Sequence, residues 1–414
     1  MMLYKLKICP KALLMKPNPL RPALLKSRRW EWHIPSEKTA ETVRGLVLSA
    51  PHLVKSTPVR AVYHCGDFFL KFELATSLMT SFRNYLHPKA REEYEIGRNL
   101  ASAGIPTVEC TGWGKLGGTN LLITRDMPGS MTMDQFFYDQ VVYGGGNADG
   151  VLAEITAFLK KFFDAGFYHG DLHFGNILYN PDTHALAWVD LIAIERPGEV
   201  EPAARRFMSR CIVSLREGLS RSQMLRTIRE VGATETDAEA ETFYFTEVRH
   251  NAQHLLETWD KRSAQALGGY PKFADALPCP GAPDRTMLLR KDWLSRPLLT
   301  KEEAAHGLPA GYELLRTESE AEAECIYLRS FYLQTLRVKH RRVVAFARPN
   351  ELWLEPLPSG LEPMPFASDN ADAAFFWRTL DEEMIEAPAD CALRLPDGTF
   401  YLTDLTRLYT GFEE

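Results

Sequence analysis

Three side chains carry the chemistry that this sequence could do. Asp171 and Asn176 lie in His169-Gly170-Asp171-Leu172-His173-Phe174-Gly175-Asn176, and Asp190 follows in Trp188-Val189-Asp190-Leu191. Two acids and an amide in this order suit phosphoryl transfer from Mg·ATP. One carboxylate orients the attacking hydroxyl and accepts its proton, while the amide and the second carboxylate hold the metal that bridges the phosphates. The D-x-x-x-x-N spacing puts a base and a metal ligand on one turn. Asp190 interrupts the apolar run Ala185–Ile194, read as a buried strand, where an ionised carboxylate is costly unless it is paired or coordinates a metal. Singly, each piece has a plain explanation, because H-G-D is a common tripeptide and an acid after a strand is often a turn or cap residue. Their order, with a short strand between Asn176 and Asp190, carries the reading.

The stretch resembles the catalytic loop and metal-binding segment of the protein-kinase-like fold. Within that fold the chain is most similar to the lipopolysaccharide kinase family, which phosphorylates Kdo or heptose of the inner core. The motifs cover roughly residues 55 to 196, under half of the chain. The resemblance implies ATP and Mg²⁺ as cofactors, with Asp171 as the catalytic residue and Asn176 and Asp190 as metal ligands. It also implies that Lys71 contacts the ATP phosphates and is held there by a helix glutamate. Some residues depart from the protein-kinase pattern. Gly170 stands where many regulated protein kinases have arginine, and His173 where protein-serine kinases have lysine. Only Leu191 to about Pro202 separates Asp190 from the next helical stretch, Ala203 to Glu217, so there is no room for a long activation segment and no A-P-E. These departures favour a constitutive enzyme acting on a small or lipid-linked hydroxyl. The segment Lys55–Arg60, where a glycine-rich lid would lie, has no glycine, which puts tight nucleotide closure in doubt.

The elements that must position these groups can be read from periodicity. Val59–Tyr63 and Phe68–Phe72 are short β-rich runs around the turn His64-Cys65-Gly66-Asp67. Lys71 lies in the second run, as a phosphate contact or as a snorkelling edge-strand lysine. After Pro88, the residues Ala90, Glu93, Gly97 and Leu100 share one helix face, which Gly104 and Pro106 terminate. Glu93 on that inward stripe needs a cation, and Lys71 is the natural partner; a one-residue slip in register would give the role to Glu92. Trp113 and Leu121–Thr124 read as strands around Gly117-Gly118, and Arg125–Gly129 as the hinge to a second lobe whose backbone would meet the adenine edge. Val151, Leu152, Ile155, Phe158, Leu159, Phe162 and Phe163 form an apolar stripe that delivers the chain to His169, itself read as a structural hydrogen-bonding histidine. Gly144-Gly145-Gly146 reads as a loop rather than a phosphate cradle.

At 414 residues, 45% hydrophobic and 25% charged, the chain is of ordinary globular composition and long enough for two or three domains. The fold class expected is α+β, a two-lobed protein-kinase-like fold with a C-terminal α+β appendage. Its expected segments are a basic extension over 1–44, an N-lobe over 45–128, a C-lobe over 129–268 and a last domain over 284–414, after the Pro-rich junction Pro278–Pro283. In that last domain a helix near Glu318 to Leu336 precedes two hairpins, one at Arg348-Pro349-Asn350 and one at Asp397-Gly398. Two readings of it stay open. It is a degenerate second copy of the kinase-like fold, with Cys391 where the metal-binding asparagine would be, or an unrelated appendage with generic turn chemistry.

A net charge of −6 argues against nucleic acid as partner, although the first 45 residues are strongly basic. That segment suits peripheral contact with an anionic membrane surface, or is a solvated basic loop. Seven scattered cysteines, none in C-x-x-C, are the usage of a reducing cytosol. With no bilayer-length apolar run and a poor signal-peptide pattern, the expected place is the cytoplasm, at most peripheral at the inner face of the cell membrane. The partner implied by the resemblance is a sugar or glycolipid acceptor. Two other readings compete with it: a kinase of another alcohol, such as an aminoglycoside or a choline-like compound, and a pseudokinase binding scaffold.

Overall fold

The computed structural model describes residues 30–34, 52–196, 198–200 and 202–413. Apart from Trp30–Ile34, the basic extension lies outside the described residues. The chain divides into two compact units, the first formed by 1–133 with 165–198 and the second by 134–164 with 199–414.

The first unit is built on a six-stranded antiparallel sheet. Its strands are β1 (Glu31–His33), β2 (His52–Ser56), β3 (Arg60–Cys65), β4 (Phe68–Glu73), β5 (Cys110–Leu116) and β6 (Thr119–Arg125), in the order β1-β5-β6-β4-β3-β2. The β3–β4 hairpin turns on Gly66-Asp67, where Gly66 takes φ 57°, so His64 and Cys65, read as turn residues, belong to the strand. Period-two alternation then sorts the side chains. Ala61, Tyr63, Cys65, Phe68, Leu70 and Phe72 face one apolar cluster together with Leu121, Ile123 and Trp30. Arg60, Val62, Lys71 and Glu73 share the opposite face.

Two helices lie between β4 and β5. The first, α1 (Leu78–Leu86), is capped by Ser77 and Thr80 in a reciprocal capping box. It is absent from the sequence reading. The second, α2 (Lys89–Ser102), buries Ala90, Glu93, Tyr94, Gly97 and Leu100, the expected stripe with Tyr94 added. Gly104 in the left-handed region (φ 71°) ends it. Helix α2 packs with Trp113 and Leu122, on the sheet face that carries Lys71. Five short strands complete the unit, the first four being β7 (Met131–Thr132), β8 (Tyr168–His169), β9 (Ile177–Asn180) and β10 (Ala185–Trp188). A fifth, β11 (Ile194–Glu195), follows, and β9 pairs with both β7 and β10 while β8 pairs with β11.

The second unit contains α3 (Asp149–Asp164), α4 (Pro202–Val213), α5 (Arg221–Glu230), α6 (Asp237–Glu257) and α7 (Trp259–Leu267). Helix α3 buries the expected stripe except Val151, with Thr156 added. A five-stranded sheet follows, made of β12 (Ala274–Cys279), β13 (Ala282–Arg290), β14 (Glu313–Arg316), β15 (Val343–Ala347) and β16 (Glu351–Leu354), with α8 (Glu320–Leu336) between β14 and β15. Pro278–Pro283, read as a junction, instead forms the turn region of the β12–β13 hairpin. Pro278 sits at a register shift on the edge strand and Gly281 takes φ 74° in the turn, the places where a sheet tolerates these residues. The chain ends in β17 (Glu362–Pro363), α9 (Ala371–Glu382), β18 (Ile385–Glu386), β19 (Ala392–Arg394), β20 (Phe400–Leu402) and β21 (Tyr409–Thr410). Its core unites α6 and α7 residues Leu255 and Trp259 with Ile326, Tyr332, Val343 and Leu402.

Helix α1 sits on the β5–β6 turn by its polar side. Asn84 donates to the Gly118 carbonyl, Asn120 donates to the Asn84 carbonyl, and a Cβ at Gly118 would lie 2.5 Å from the Ser81 Cα. Gly118→Ala should therefore push α1 off the turn and lower stability by about 1–3 kcal/mol, read from urea unfolding. An unchanged midpoint would mean that α1 is not held there.

Candidate active site

The centre of the site is the Lys71 ammonium on β4. Its Nζ donates to both Glu93 oxygens, at 3.0 and 2.9 Å, and to Asp190 Oδ1 at 2.6 Å. The partner expected from the α2 stripe is therefore the one present. Glu92 is exposed and Glu95 pairs with Arg91 at 2.7 Å. Glu93 is buried and also accepts from the Leu191 amide at 3.2 Å, which ties α2 to the segment after β10. Burial pushes the Glu93 carboxyl upward and Lys71 opposes it.

Asp190 does not lie inside a strand, which corrects the expectation for Ala185–Ile194. Strand β10 stops at Trp188, Asp190 adopts a left-handed conformation (φ 53°, ψ 54°), and a 3₁₀ turn follows over Leu191–Ala193. The turn aims the carboxylate at Lys71, a conformation a non-glycine residue holds only when its surroundings fix it. Burial alone would raise this carboxyl, but Lys71 and Arg60 outweigh it and hold it below the ordinary range.

Arg60 is the residue that sequence reasoning passed over. It binds Glu73 at 2.6 Å and reaches Asp190 Oδ2 at 3.5 Å. The signal was available in the β-period, because Arg60 and Val62 face Glu73 and Lys71 across the β3–β4 ladder and so share the Lys71 face. The glycine-free segment Lys55–Arg60 is the β2–β3 hairpin.

Two strand pairs bring the loop of Asp171 beside that of Asp190. At one end, His169 pairs with Ile194 and the Gly170 amide donates to the Ala193 carbonyl at 2.8 Å. At the other, Ile177 faces Trp188 and the Val189 amide donates to the Asn176 carbonyl at 2.9 Å. Asn176 and Asp190 thus leave the same end of one hairpin. The Asn176 side-chain amide donates to the Asp171 carbonyl at 2.9 Å, which leaves its oxygen outside that bond. Asp171 is exposed.

His169 is fully buried and its Nδ1 accepts the Asp171 amide at 3.1 Å, fixing the loop from within. Burial lowers its pKa to about 4.

Residues 73–240 match the Lipopolysaccharide kinase (Kdo/WaaP) family. The likeness read from the motifs is shown over this segment. No curated protein matches the chain in sequence. Among solved structures, the bifunctional kinase-methyltransferase WbdD matches at 14% identity over 47% of this chain and 49% of its own, with a TM-score of 0.33. The Mycobacterium tuberculosis PknI kinase domain matches at 14% identity over 47% of this chain and 94% of its own, with a TM-score of 0.31. The chain thus spans about half the length of WbdD.

The depressed pKa of His169 makes stability depend on pH with a definite sign. Between its unfolded value and about 4, the unfolded chain binds a proton that the native chain does not, so stability is lost as pH falls through this window. That component amounts to about 3 kcal/mol. His169→Gln should lack it, seen as a shallower fall in urea midpoint from pH 6.5 to pH 4; identical slopes for the two proteins would refute the assignment.

Proposed function

We propose that the chain is an ATP- and Mg²⁺-dependent kinase that phosphorylates a sugar hydroxyl of the lipopolysaccharide inner core or a related glycolipid. The observation that carries this is the Lys71 ammonium bound at once by Glu93 and Asp190, beside the loop of Asp171 and Asn176. In this reading Lys71, steadied by Glu93, binds the ATP phosphates. Asp171 orients the acceptor hydroxyl and takes its proton. The backbone of Arg125–Gly129 would meet the adenine edge.

The donors present fit Mg²⁺. The Asn176 amide oxygen and the Asp190 carboxylate are hard oxygens, and Mg²⁺ is commonly held by one or two such groups together with substrate phosphates. No cluster of three or more His, Cys, Asp or Glu able to hold a metal occurs among the described residues, as this mode of binding requires none. When bound, the ion neutralises charge on the transferring phosphoryl group. Arg60 supplies cationic charge next to Asp190 from the hairpin where a glycine-rich lid would lie, which supports nucleotide binding without that lid. Its presence, with Lys71, Asp171, Asn176 and Asp190 all retained, favours an enzyme over a binding scaffold.

The deciding experiment is phosphate transfer from labelled ATP with Mg²⁺ to Kdo-lipid, heptosylated core, free sugars, an aminoglycoside and choline. Transfer to one of the first two is expected, reduced roughly 10²-fold or more by Asp171→Ala. Transfer only to the aminoglycoside or choline would reassign the acceptor, and turnover of none would leave a scaffold.

A lipid-linked acceptor requires approach to a membrane, and α1 is suited to it. Leu78, Met79 and Phe82 are 91%, 78% and 63% exposed, and Tyr85 and Leu86 continue the same stripe. The helix is amphipathic but inverted, docked by Ser81 and Asn84 with its apolar side outward. Between Glu73 and Glu92 the sequence holds Arg83, Lys89 and Arg91 and no acid, a charge complement to an anionic leaflet. No described helix is long and apolar enough to cross a membrane. We infer that α1 docks on an anionic bilayer surface. Leu78→Ser/Phe82→Ser should lower co-sedimentation with vesicles of phosphatidylcholine and phosphatidylglycerol roughly tenfold. Transfer to a lipid-free acceptor should be unchanged. Undiminished vesicle binding would shift the contact to the basic leading residues, and a change in oligomeric state instead would identify a second copy as the occupant.

A further inference from the structure

We propose that residues 313–410 are a second, degenerate copy of the fold formed by residues 68–195, with its phosphate-handling positions turned apolar, so that the chain has one nucleotide site. The first support is topology. In the first copy β4 pairs with β6, β5 with β6, β7 with β9, β9 with β10 and β8 with β11. In the second, β14 pairs with β16, β15 with β16, β17 with β19, β19 with β20 and β18 with β21, in the same chain order and all antiparallel. Hairpins are generic, but β14–β16, β17–β19 and β18–β21 join strands separated by other elements. Each copy also has one parallel bridge outside its strands, Thr107 to Trp188 and His340 to Leu402.

The agreement extends to single residues. Helix α2 buries Ala90, Glu93, Tyr94, Gly97 and Leu100, and α8 buries Ala323, Ile326, Tyr327, Ser330 and Leu333 at the same spacing, together with Arg329, Phe331, Tyr332 and Leu336 on a wider buried surface. Both helices run into a left-handed residue, Gly104 at φ 71° and Arg337 at φ 65°. The next amides, of Ile105 and Val338, return to the carbonyls of Leu100 and Leu333. The parallel bridge then begins two residues further on in each copy.

This register identifies what became of the site. Lys71 faces Leu122, which faces Trp113 on the next strand; Leu315 faces Leu352, which faces Phe346. Trp113 and Phe346 lie equally far along the chain from their bridges, so Leu315 stands for Lys71 and Ile326 for Glu93. The Val189 amide binds the Asn176 carbonyl, and the Thr403 amide binds that of Cys391. Cys391 thus stands for Asn176, and a protonated thiol is a poor ligand for a hard cation. Asp404 follows Leu402 as Asp190 follows Trp188, but its Oδ1 accepts from the Thr406 amide and hydroxyl, at 2.9 and 2.6 Å. Ile326 lies within the apolar cluster of this unit and Leu315 packs against it.

The loss of a nucleotide site in this copy rests on the ATP-dependent reading above, whereas the positional equivalence does not. A double-mutant cycle tests the equivalence. Leu315→Lys and Ile326→Glu should each destabilise the full chain, since each strands a charge among apolar groups. Together they should recover roughly tenfold in the folding equilibrium over the sum of the two. Simple additivity would overturn the equivalence. Calorimetry with Mg²⁺ and a non-hydrolysable ATP analogue should give one nucleotide per chain, and none for Lys71→Ala. This measurement still decides the site count if the charged variants fail to fold. A second equivalent that survives Lys71→Ala would overturn the proposal. No binding by the wild type would sink the ATP reading alone and leave the cycle to judge the copy.

Discussion

The Lys71 ammonium joins three segments that are distant in sequence: strand β4, helix α2 through Glu93 and the turn after β10 through Asp190. Glu93 is almost fully buried, so without Lys71 its charge would stand uncompensated in a low-dielectric setting, a loss of about 3–5 kcal/mol in comparable cases. Asp190 is more exposed and makes the shorter bond. Counting charges over Lys71, Arg60, Glu93, Asp190 and Glu73 leaves the cluster one negative charge in excess. Of its three carboxylates, Asp190 is the most exposed. Glu93 cannot leave Lys71 without penalty, whereas Asp190 is less buried and is also approached by Arg60.

Several parts of this arrangement were legible in the sequence because they follow simple periods. The stripe of Ala90, Glu93, Gly97 and Leu100 placed Glu93 inward and so named Lys71 as its partner; the alternative of an edge-strand lysine fails because β4 lies between β6 and β3. What escaped notice did so for identifiable reasons. Arg60 lies at the start of β3, and its contact with Asp190, 130 residues on, has no local period to announce it. Helix α1 has an apolar stripe at helical spacing, but its sense is inverted: the stripe faces outward while Asn84 and Ser81 make the contacts. The left-handed turn at Asp190 has no signature in a run of apolar residues, since an aspartate adopts that conformation only where tertiary contacts impose it.

Pro278–Pro283 misled in the opposite direction. Proline is a poor strand former on average, but an edge strand leaves amides unpaired, so its missing donor is harmless there. Composition gave a boundary where register gives a hairpin, because composition carries no information about which side of a strand faces a neighbour.

The two copies supply an internal control on the central ion pair. The same helix position holds a carboxylate in one copy and an isoleucine in the other, and the same strand position holds a lysine or a leucine. Both helices end alike and three strands of each sheet pair alike, β4-β6-β5 and β14-β16-β15, although the preceding hairpin joins β4 in the first sheet and β15 in the second; the shared part of the fold does not need the charges. Apolar replacement of a buried ion pair is commonly neutral or stabilising, and the second copy has taken that course. The first has kept Glu93 buried and charged against Lys71, an arrangement that stability alone does not favour. What the pair supplies that leucine and isoleucine cannot is position: Glu93 fixes the Lys71 ammonium beside Asp190.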